Sequence, residues 1–123
     1  MVKNHGMAPI YALNDLRYLI QEDAWEYGSR TCKRDVDGLG LLRHQVKRML
    51  LSLTTADHHK GIEDQGSDFG SINVDAYRLY YDEDREMRCA PGDGLMFYVK
   101  LGVHSDDQGD LCVVASFHLD RQR

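Results

Sequence analysis

The second half of the chain alternates apolar and polar residues, a period of two that is typical of half-buried β-strands. Three segments show it: "NVDAYRLYY" from Asn73, "LMFYVKLGV" from Leu95 and "LCVVASFHL" from Leu111. Turn-rich stretches that contain Gly and Asp separate these segments. Consecutive strands with such connections usually pair antiparallel, so the pattern predicts a small antiparallel sheet.

The first half places apolar residues at helical spacing instead. Asn14 is a suitable N-cap, and Gly28 a suitable end, for a helix with apolar residues on one side. These residues are Leu16, Leu19, Ile20 and Trp25. A short second helix is predicted through "TCKRDVDGLG", ending at Gly38 or Gly40. A third is predicted in "LLRHQVKRMLLSL", where the buried stripe consists of Leu42, Val46, Met49, Leu50 and Leu53.

The segment "TADHHKGIED", which follows the third helix, brings two histidines and a lysine together. We predict a short helix here that begins at one of the two threonines and ends at Gly61. Adjacent residues on a helix diverge by about 100°, so His58 and His59 do not easily share one metal ion. We expect one of them to pack or cap and the other to face water. Lys60 is expected near the helix C-terminus, where a cation is favoured.

The predicted elements together indicate an α+β fold, with N-terminal helices packed on one face of a small antiparallel sheet. A length of 123 residues and a hydrophobic content of 42% favour one domain over residues 1–123. No apolar run approaches the roughly 20 residues of a membrane span, and the first residues lack the apolar core of a secretory signal. Three scattered cysteines without a CxxC spacing argue against a Cys-based zinc site. We therefore expect a cytoplasmic protein with no membrane contact.

The net charge of −5 argues against general binding of nucleic acid, which needs clustered lysine and arginine. The charge is uneven, however, because "SRTCKR" and "RHQVKR" are basic whereas "DEDRE" and "SDDQGD" are acidic. The net charge therefore weakens the nucleic-acid interpretation without excluding a local cationic patch.

Alternation within the strands divides their side chains between two faces of the sheet. The first face takes the apolar residues, which are Tyr77, Leu79, Leu95, Phe97, Val99, Leu101, Val103, Leu111, Val113, Ala115, Phe117 and Leu119. The second face takes Arg78, Tyr98, Lys100, Ser116 and His118. If the helices cover the first face, the second face is open and cationic.

That second face has the side chains that RNA cleavage requires. Attack of a ribose 2′-OH on the adjacent phosphate needs a base, an acid for the leaving 5′ oxygen, and cations near the phosphorane. Histidine exchanges protons near neutral pH, which suits His118 to this chemistry. Arg78, Lys60 and Lys100 can hold phosphate, and Tyr98 can donate a hydrogen bond or stack on a base. Each residue also has an ordinary structural alternative, as a solvated charge or a half-buried strand residue.

The order of several short motifs resembles the MqsR family of bacterial toxins. The motifs are "LNDLRYLI", "DGLGL", "LLSLTTADHHKGI", "DAYRL", "GLMFYVKLGV" and "CVVASFHL", and they extend from about Leu13 to Leu119. The resemblance implies a RelE-like fold and a type II toxin that cleaves mRNA as an endoribonuclease without a metal or another cofactor, favouring short GC-containing triplets. It also implies an MqsA-like antitoxin protein as the partner that sequesters the toxin.

Site residues follow from the resemblance position by position. Lys60 matches the lysine that family members place in the helix after the "L-S/T" turn, and Arg78 matches the arginine of the "D-x-Y-R" strand. Tyr98 matches the tyrosine of the "Y-x-K" strand, which continues to Lys100. With His118, the resemblance implies a catalytic set of Lys60, Tyr98 and His118 and a substrate-binding pair of Arg78 and Lys100.

Three features depart from the family pattern. Val74 stands where better-known members have a glutamine, which removes a polar contact. His118 stands where they have a lysine, which keeps a possible cation and adds a group that can transfer a proton. The chain is also acidic where members are basic, and we expect its acidic segments 63–68, 82–86 and 106–110 to lie away from the RNA face.

Two other function classes fit the sequence. A non-catalytic binding module would keep the fold and hold a partner protein through the same sheet face, an interpretation that Val74 and the negative charge favour. A metal hydrolase built on His58 and His59 would need a distant ligand such as His44 or His104, and the spacing does not indicate one. Retention of full activity in a chelator would argue against the hydrolase.

Overall fold

The computed structural model of the protein describes residues 8–64 and 66–120, together with the backbone of residues 4–6. The predicted domain over residues 1–123 also includes residues 1–3, 7, 65 and 121–123, which lie outside the described part. The elements in chain order are β1 Asn4–Gly6, α1 Leu13–Gln21, β2 Trp25–Tyr27, α2 Arg30–Gly38, α3 Arg43–Leu51, a 3₁₀ turn Thr55–Asp57, β3 His58–Asp64, β4 Ile72–Asp82, β5 Met87–Arg88, β6 Leu95–Asp106 and β7 Gly109–Leu119.

The strands form one sheet with the order β1-β3-β4-β6-β7-β2, and the short β5 pairs with the end of β4. β4, β6 and β7 are long antiparallel neighbours, as the three alternating segments predict. β1 and β3 extend the sheet antiparallel on one side, whereas β2 runs parallel to β7 at the other edge. The predicted α+β fold is therefore confirmed, with a sheet that is larger than predicted and mixed at one edge.

Two of the three helices follow the prediction closely. α2 begins after Ser29, whose hydroxyl accepts a hydrogen bond from the backbone N–H of Cys32 at 3.1 Å, and it ends at Gly38. α3 buries Val46, Met49 and Leu50 as the helical stripe predicts. Leu42 is the exception, because it is the residue that precedes the helix and its side chain is 61% exposed.

α1 is shorter than predicted. It ends at Gln21 instead of continuing to Gly28, and Asp23 then adopts a left-handed conformation with φ of 59° that turns the chain. Trp25 consequently lies in β2 and enters the core from the edge of the sheet. Among the described residues, no helix combines the length and the apolar character that a membrane crossing needs.

All three helices pack on one face of the sheet, which we call the covered face. Buried side chains of the helices form a single cluster there with apolar residues of β4, β6 and β7. In β4 and β6 the alternation is regular, so Tyr77, Leu79, Phe97, Val99 and Leu101 belong to this cluster as predicted.

In the first half of β7 the predicted face is wrong. Lys100 lies opposite Ser116 and Leu101 lies opposite Val114, so Ala115 is an extra residue on β7. This β-bulge reverses the faces before it: Cys112 and Val114 enter the core cluster, whereas Ala115 packs on the opposite side of the sheet. After the bulge the predicted faces hold.

The segment that contains the histidine pair is a strand, so the predicted helix ending at Gly61 is wrong. After α3 a single 3₁₀ turn over Thr55–Asp57 leads into β3, which pairs with β4 on one side and β1 on the other. Lys60 consequently lies in a strand and not at a helix C-terminus. The reason is that strand preference depends on the neighbours that a segment finds across the sheet, which its local sequence does not specify.

Candidate active site

The face of the sheet opposite the helices, which we call the open face, is polar toward one end. Arg78 of β4 lies opposite Tyr98 of β6, and Tyr98 lies opposite His118 of β7. The next row of cross-strand neighbours consists of Lys60, Ala76, Lys100 and Ser116. The structure thus brings the five predicted site residues together in two adjacent rows on one face.

The other end of the open face is closed by the segment 66–71 between β3 and β4. The backbone N–H of Asp68 donates a hydrogen bond to the carbonyl of Gly28, which follows β2 at the far edge, at 2.6 Å. The ring of Phe69 lies on that of His104 with 5.1 Å between centroids. This crossing leaves the end with Arg78, Tyr98 and His118 as the accessible part.

Tyr98 lies at the centre of the accessible end. Its ring centroid is 5.7 Å from that of His118 and 6.5 Å from that of His59, and the Lys100 Nζ lies 5.9 Å from it. Partial burial raises the pKa of the Tyr98 phenol, an effect that the nearby Arg78 guanidinium opposes. The hydroxyl is therefore protonated at neutral pH and can donate a hydrogen bond.

A backbone contact of His118 shows which of its two ring nitrogens has the proton in the neutral ring. The Nδ1 lies 3.0 Å from the carbonyl oxygen of Leu119, an acceptor, so Nδ1 is the nitrogen that holds the proton. Nε2 is then the nitrogen that can take up or deliver a proton at the surface. The ring also borders a shallow groove between β7 and the end of α2, which Arg34 and Leu39 help to line.

His59 also lies at this site, although the sequence pattern does not predict it there. It is the extra residue of a β-bulge in β3, because His58 lies opposite Tyr77 and Lys60 lies opposite Ala76. The bulge turns His59 onto the open face, where its Nε2 lies 3.3 Å from the Arg78 Nη2. Regular alternation would have placed His59 on the face opposite Lys60, so no signal in the sequence indicates the arrangement.

The pKa of His59 is lowered from 6.5. Partial burial of the ring is the largest cause, followed by the positive charges of Arg78 and Lys60 and by His58. His59 is therefore unprotonated at neutral pH. A neutral imidazole beside an arginine has a basic nitrogen that can accept a proton.

Lys100 is partly neutralised by an acidic residue. Its Nζ lies 3.8 Å from the Asp64 Oδ2, and Asp64 is the last residue of β3. The expectation that the acidic segment 63–68 lies away from this face is therefore wrong for Asp64. The sheet pairing is the reason, because β3 runs beside β4 and brings its end close to the middle of β6.

Val74, the position at which the sequence departs from the MqsR pattern that it resembles, is a packing residue. It is fully buried in a small apolar cluster on the open face with Ile62 and Ala76, against which Ile72, Tyr98 and Ala115 pack. A polar side chain at this position would have to be buried or displace its neighbours. Val74 therefore packs beneath the polar residues of the open face, and its side chain is not accessible at the surface.

His58 and His59 point to opposite faces of the sheet, so they cannot bind one metal ion together. His58 Nε2 contacts the Asp75 Oδ1 at 2.8 Å, and both side chains are almost completely buried on the covered face. The expectation that one histidine packs while its neighbour faces solvent matches this arrangement. Within residues 8–64 and 66–120, no three His, Cys, Asp or Glu side chains are grouped so that they could hold a metal.

The two rows and the bulge residue His59 thus combine a neutral imidazole, a second histidine, a phenol, an arginine and two lysines on the open face. Such a surface can bind a phosphodiester and exchange protons with it. Comparison of the chain with protein-family models, with curated proteins and with solved structures gave no match.

Proposed function

We propose that the protein is an MqsR-like toxin of a type II toxin–antitoxin system, a metal-independent endoribonuclease with a RelE-like fold that cleaves mRNA in the cytoplasm. The observation that supports this proposal most directly is the convergence of Lys60, Arg78, Tyr98, Lys100 and His118 on the uncovered end of one sheet face. The order of motifs along the chain, which resembles that family, supports it independently.

The proposed reaction is an intramolecular transfer at phosphorus. The ribose 2′ oxygen attacks the adjacent phosphate, the P–O5′ bond breaks, and the products are a 2′,3′-cyclic phosphate and a 5′-hydroxyl. One proton must leave the 2′-OH and one must reach the 5′ oxygen, while negative charge accumulates on the phosphorane oxygens. Histidine, lysine and phenol groups of the open face are available for the proton transfers, and no step needs a metal.

Arg78 and Lys100 are proposed to hold the phosphate. The Arg78 side chain is exposed, and its guanidinium can donate two parallel hydrogen bonds to phosphate oxygens. Tyr98 is half-buried with its ring accessible at the middle of the row, so it can stack on a base or donate to the phosphate. Lys60 adds a further cation from β3.

The proposed partner is an MqsA-like antitoxin that covers the open face or adds a strand at an edge of the sheet. Covering the face would exclude RNA directly. This part of the proposal rests on the family resemblance.

The test is incubation of the purified chain, free of antitoxin, with a defined RNA in EDTA, followed by a denaturing gel. The wild type and His44→Ala, which changes an exposed histidine on α3, are expected to give the same discrete fragments. His118→Ala is expected to lower the rate about 10²- to 10⁴-fold, because it removes a proton-transfer group. A folded wild type that leaves RNA intact with and without added divalent metal would refute the nuclease.

A binding module that holds a partner protein through the open face is the second candidate. The contact of Asp64 with Lys100 favours it, because a carboxylate beside that lysine repels RNA phosphates. Absence of cleavage together with tight binding of a partner protein, abolished by Arg78→Ala, would support this candidate over the nuclease.

A further inference from the structure

We infer that His59 is the catalytic base, which takes the proton from the 2′-OH, and that His118 is the acid, which protonates the leaving 5′ oxygen. This inference rests on the proposed function and gives its chemistry two defined proton-transfer groups. The two rings lie on either side of Tyr98, at 6.5 Å and 5.7 Å between centroids, with Arg78 beside the same tyrosine.

The placement matches what the transfer requires. The base and the acid of this reaction act on oxygens on opposite sides of the phosphorus, because the attacking and leaving oxygens are in line. His59 on β3 and His118 on β7 are separated by β4 and β6, with Arg78 and Tyr98 on those intervening strands. A phosphate held by Arg78 above Tyr98 would thus have one histidine on each side.

The contact between Arg78 and His59 supports the role of base. Because the guanidinium has only donors, the His59 Nε2 that faces it at 3.3 Å must present its lone pair. The exposed guanidinium can turn to phosphate oxygens when RNA binds, and the lone pair then becomes free beside the substrate. The phosphate that binds Arg78 would thus also free the His59 Nε2 to act as the base.

The charged surroundings of the two histidines differ. Among the described residues, His59 shares the open face with Lys60 of its own strand, Arg78 of β4 and Tyr98 of β6, and His58 lies on the opposite face. Its positively charged neighbours and its partial burial favour the neutral form. His118 faces Tyr98 of β6 and the α2 end, where the bordering groove is lined by Arg34 and Asp35. The more cationic environment disfavours the protonated form, so it suits a base better than an acid.

The proposed step is balanced. His59 Nε2 accepts the 2′-OH proton as the 2′ oxygen–phosphorus bond forms. The reactive form of His118, which has a proton on Nε2, gives that proton to the 5′ oxygen as the P–O5′ bond breaks. Arg78 neutralises charge on the non-bridging oxygens throughout. Exchange of one proton with water at each ring returns the enzyme to its starting state.

A substrate with sulfur in place of the 5′ bridging oxygen tests the two roles separately. The cleavage site is first mapped in a defined RNA. An oligonucleotide with one ribose at that site is then made with either oxygen or sulfur at the 5′ position. A thiolate leaves without protonation, so the sulfur substrate needs a base but no acid. The enzymes are wild type, His59→Ala, His59→Gln, His118→Ala and His44→Ala, each checked for folding by circular dichroism.

With the oxygen substrate, both the His59 and the His118 variants are expected to cleave about 10²- to 10⁴-fold more slowly than wild type. With the sulfur substrate, His118→Ala is expected to recover to within about tenfold of wild type, whereas both His59 variants stay about 100-fold or more below it. His44→Ala should match wild type on both substrates.

Three outcomes would overturn the inference. Recovery of the His59 variants but not of His118→Ala would reverse the roles. Wild-type rates in folded His59 variants would remove His59 from the reaction while leaving the nuclease intact. Failure of wild type to cleave either substrate would remove the inference together with the proposed function.

Discussion

The neighbouring residues His58 and His59 lie on opposite faces of the sheet, one buried and one at the surface. On the covered face, His58 is almost fully buried and contacts Asp75, whose carboxylate also accepts hydrogen bonds from the backbone N–H groups of Ile10 and Tyr11 at 2.9–3.0 Å. On the open face, His59 lies at the surface of the sheet beside the exposed Arg78. One β-bulge separates these two environments.

The hydrogen-bond partners of a polar residue distinguish a structural role from a candidate functional one in this fold. The buried carboxylate of Asp75 joins the segment before α1 to β3 and β4, so its hydrogen bonds support the architecture. The polar groups of the open face hold no such distant segments together. Their clustering contributes little to stability, which is the reason to look for a function there.

The largest effect is expected from adjacent residues of β6 that face opposite ways. Phe97→Ala should lower the free energy of unfolding by about 3–5 kcal/mol, because Phe97 is fully buried against Phe117 and the change leaves a cavity. Tyr98→Phe should change that free energy by less than about 1 kcal/mol, yet lower RNA cleavage strongly because the phenol is lost. Urea unfolding and a cleavage assay on both variants measure the contrast. An equal loss of unfolding free energy in Phe97→Ala and Tyr98→Phe would contradict the assignment of these two side chains to a buried face and an open face.

The histidine pair is expected to show the same contrast. His58→Ala should cost about 3 kcal/mol of unfolding free energy, because it leaves the buried Asp75 without its side-chain partner. His59→Ala should stay within about 0.5 kcal/mol of wild type. Urea denaturation at pH 7 gives both values, with His44→Ala as the exposed control on α3. A marginal effect of His58→Ala would show that the backbone donors of Ile10 and Tyr11 alone satisfy Asp75.

The pH dependence of cleavage should report the neutral state of His59. Its pKa is lowered from 6.5, and a base is active only when unprotonated. As the pH is lowered from neutral, we therefore expect no loss of kcat/KM through His59 until the pH is below 6.5. At still lower pH, kcat/KM should fall about tenfold per pH unit as His59 is protonated. His59→Gln should remove that limb. An acid limb that begins above pH 6.5 in the wild type, or that persists in His59→Gln, would contradict the prediction.

The smallest effect is expected at the end of β3. Asp64→Asn removes the carboxylate beside Lys100 but retains the Oδ1 that accepts the Gly66 N–H, so RNA should bind about two- to fivefold more tightly. Glu63→Gln, which changes the preceding residue of the same strand, should have a weaker effect because Glu63 points to the other face. Binding isotherms at several salt concentrations test this, and identical affinities of the two variants would contradict a specific role for Asp64.

Several site positions were predictable because alternation in β4 and β6 is unbroken. Tyr77 and Leu79 alternate with Arg78, and Phe97 and Val99 alternate with Tyr98, so a period of two separates core from open face. Asp75 is buried on the same face as Tyr77, where a carboxylate needs hydrogen-bond partners, and the sequence pattern makes no prediction for it. Those partners come from 17 and about 65 residues away along the chain.

Hydrophobic periodicity predicts the α+β class, the three helices, the central strands and the faces of β4 and β6, because it is a local property that packing reinforces. Three features depend on long-range contacts instead: the segment with the histidine pair is a strand, β2 joins the sheet parallel to β7, and His59 lies beside Arg78 and Tyr98 on the open face. For His59 the cause is a β-bulge. One extra residue in β3 or β7 costs little locally, is fixed by pairing with a distant strand, and reverses every side chain on one side of it.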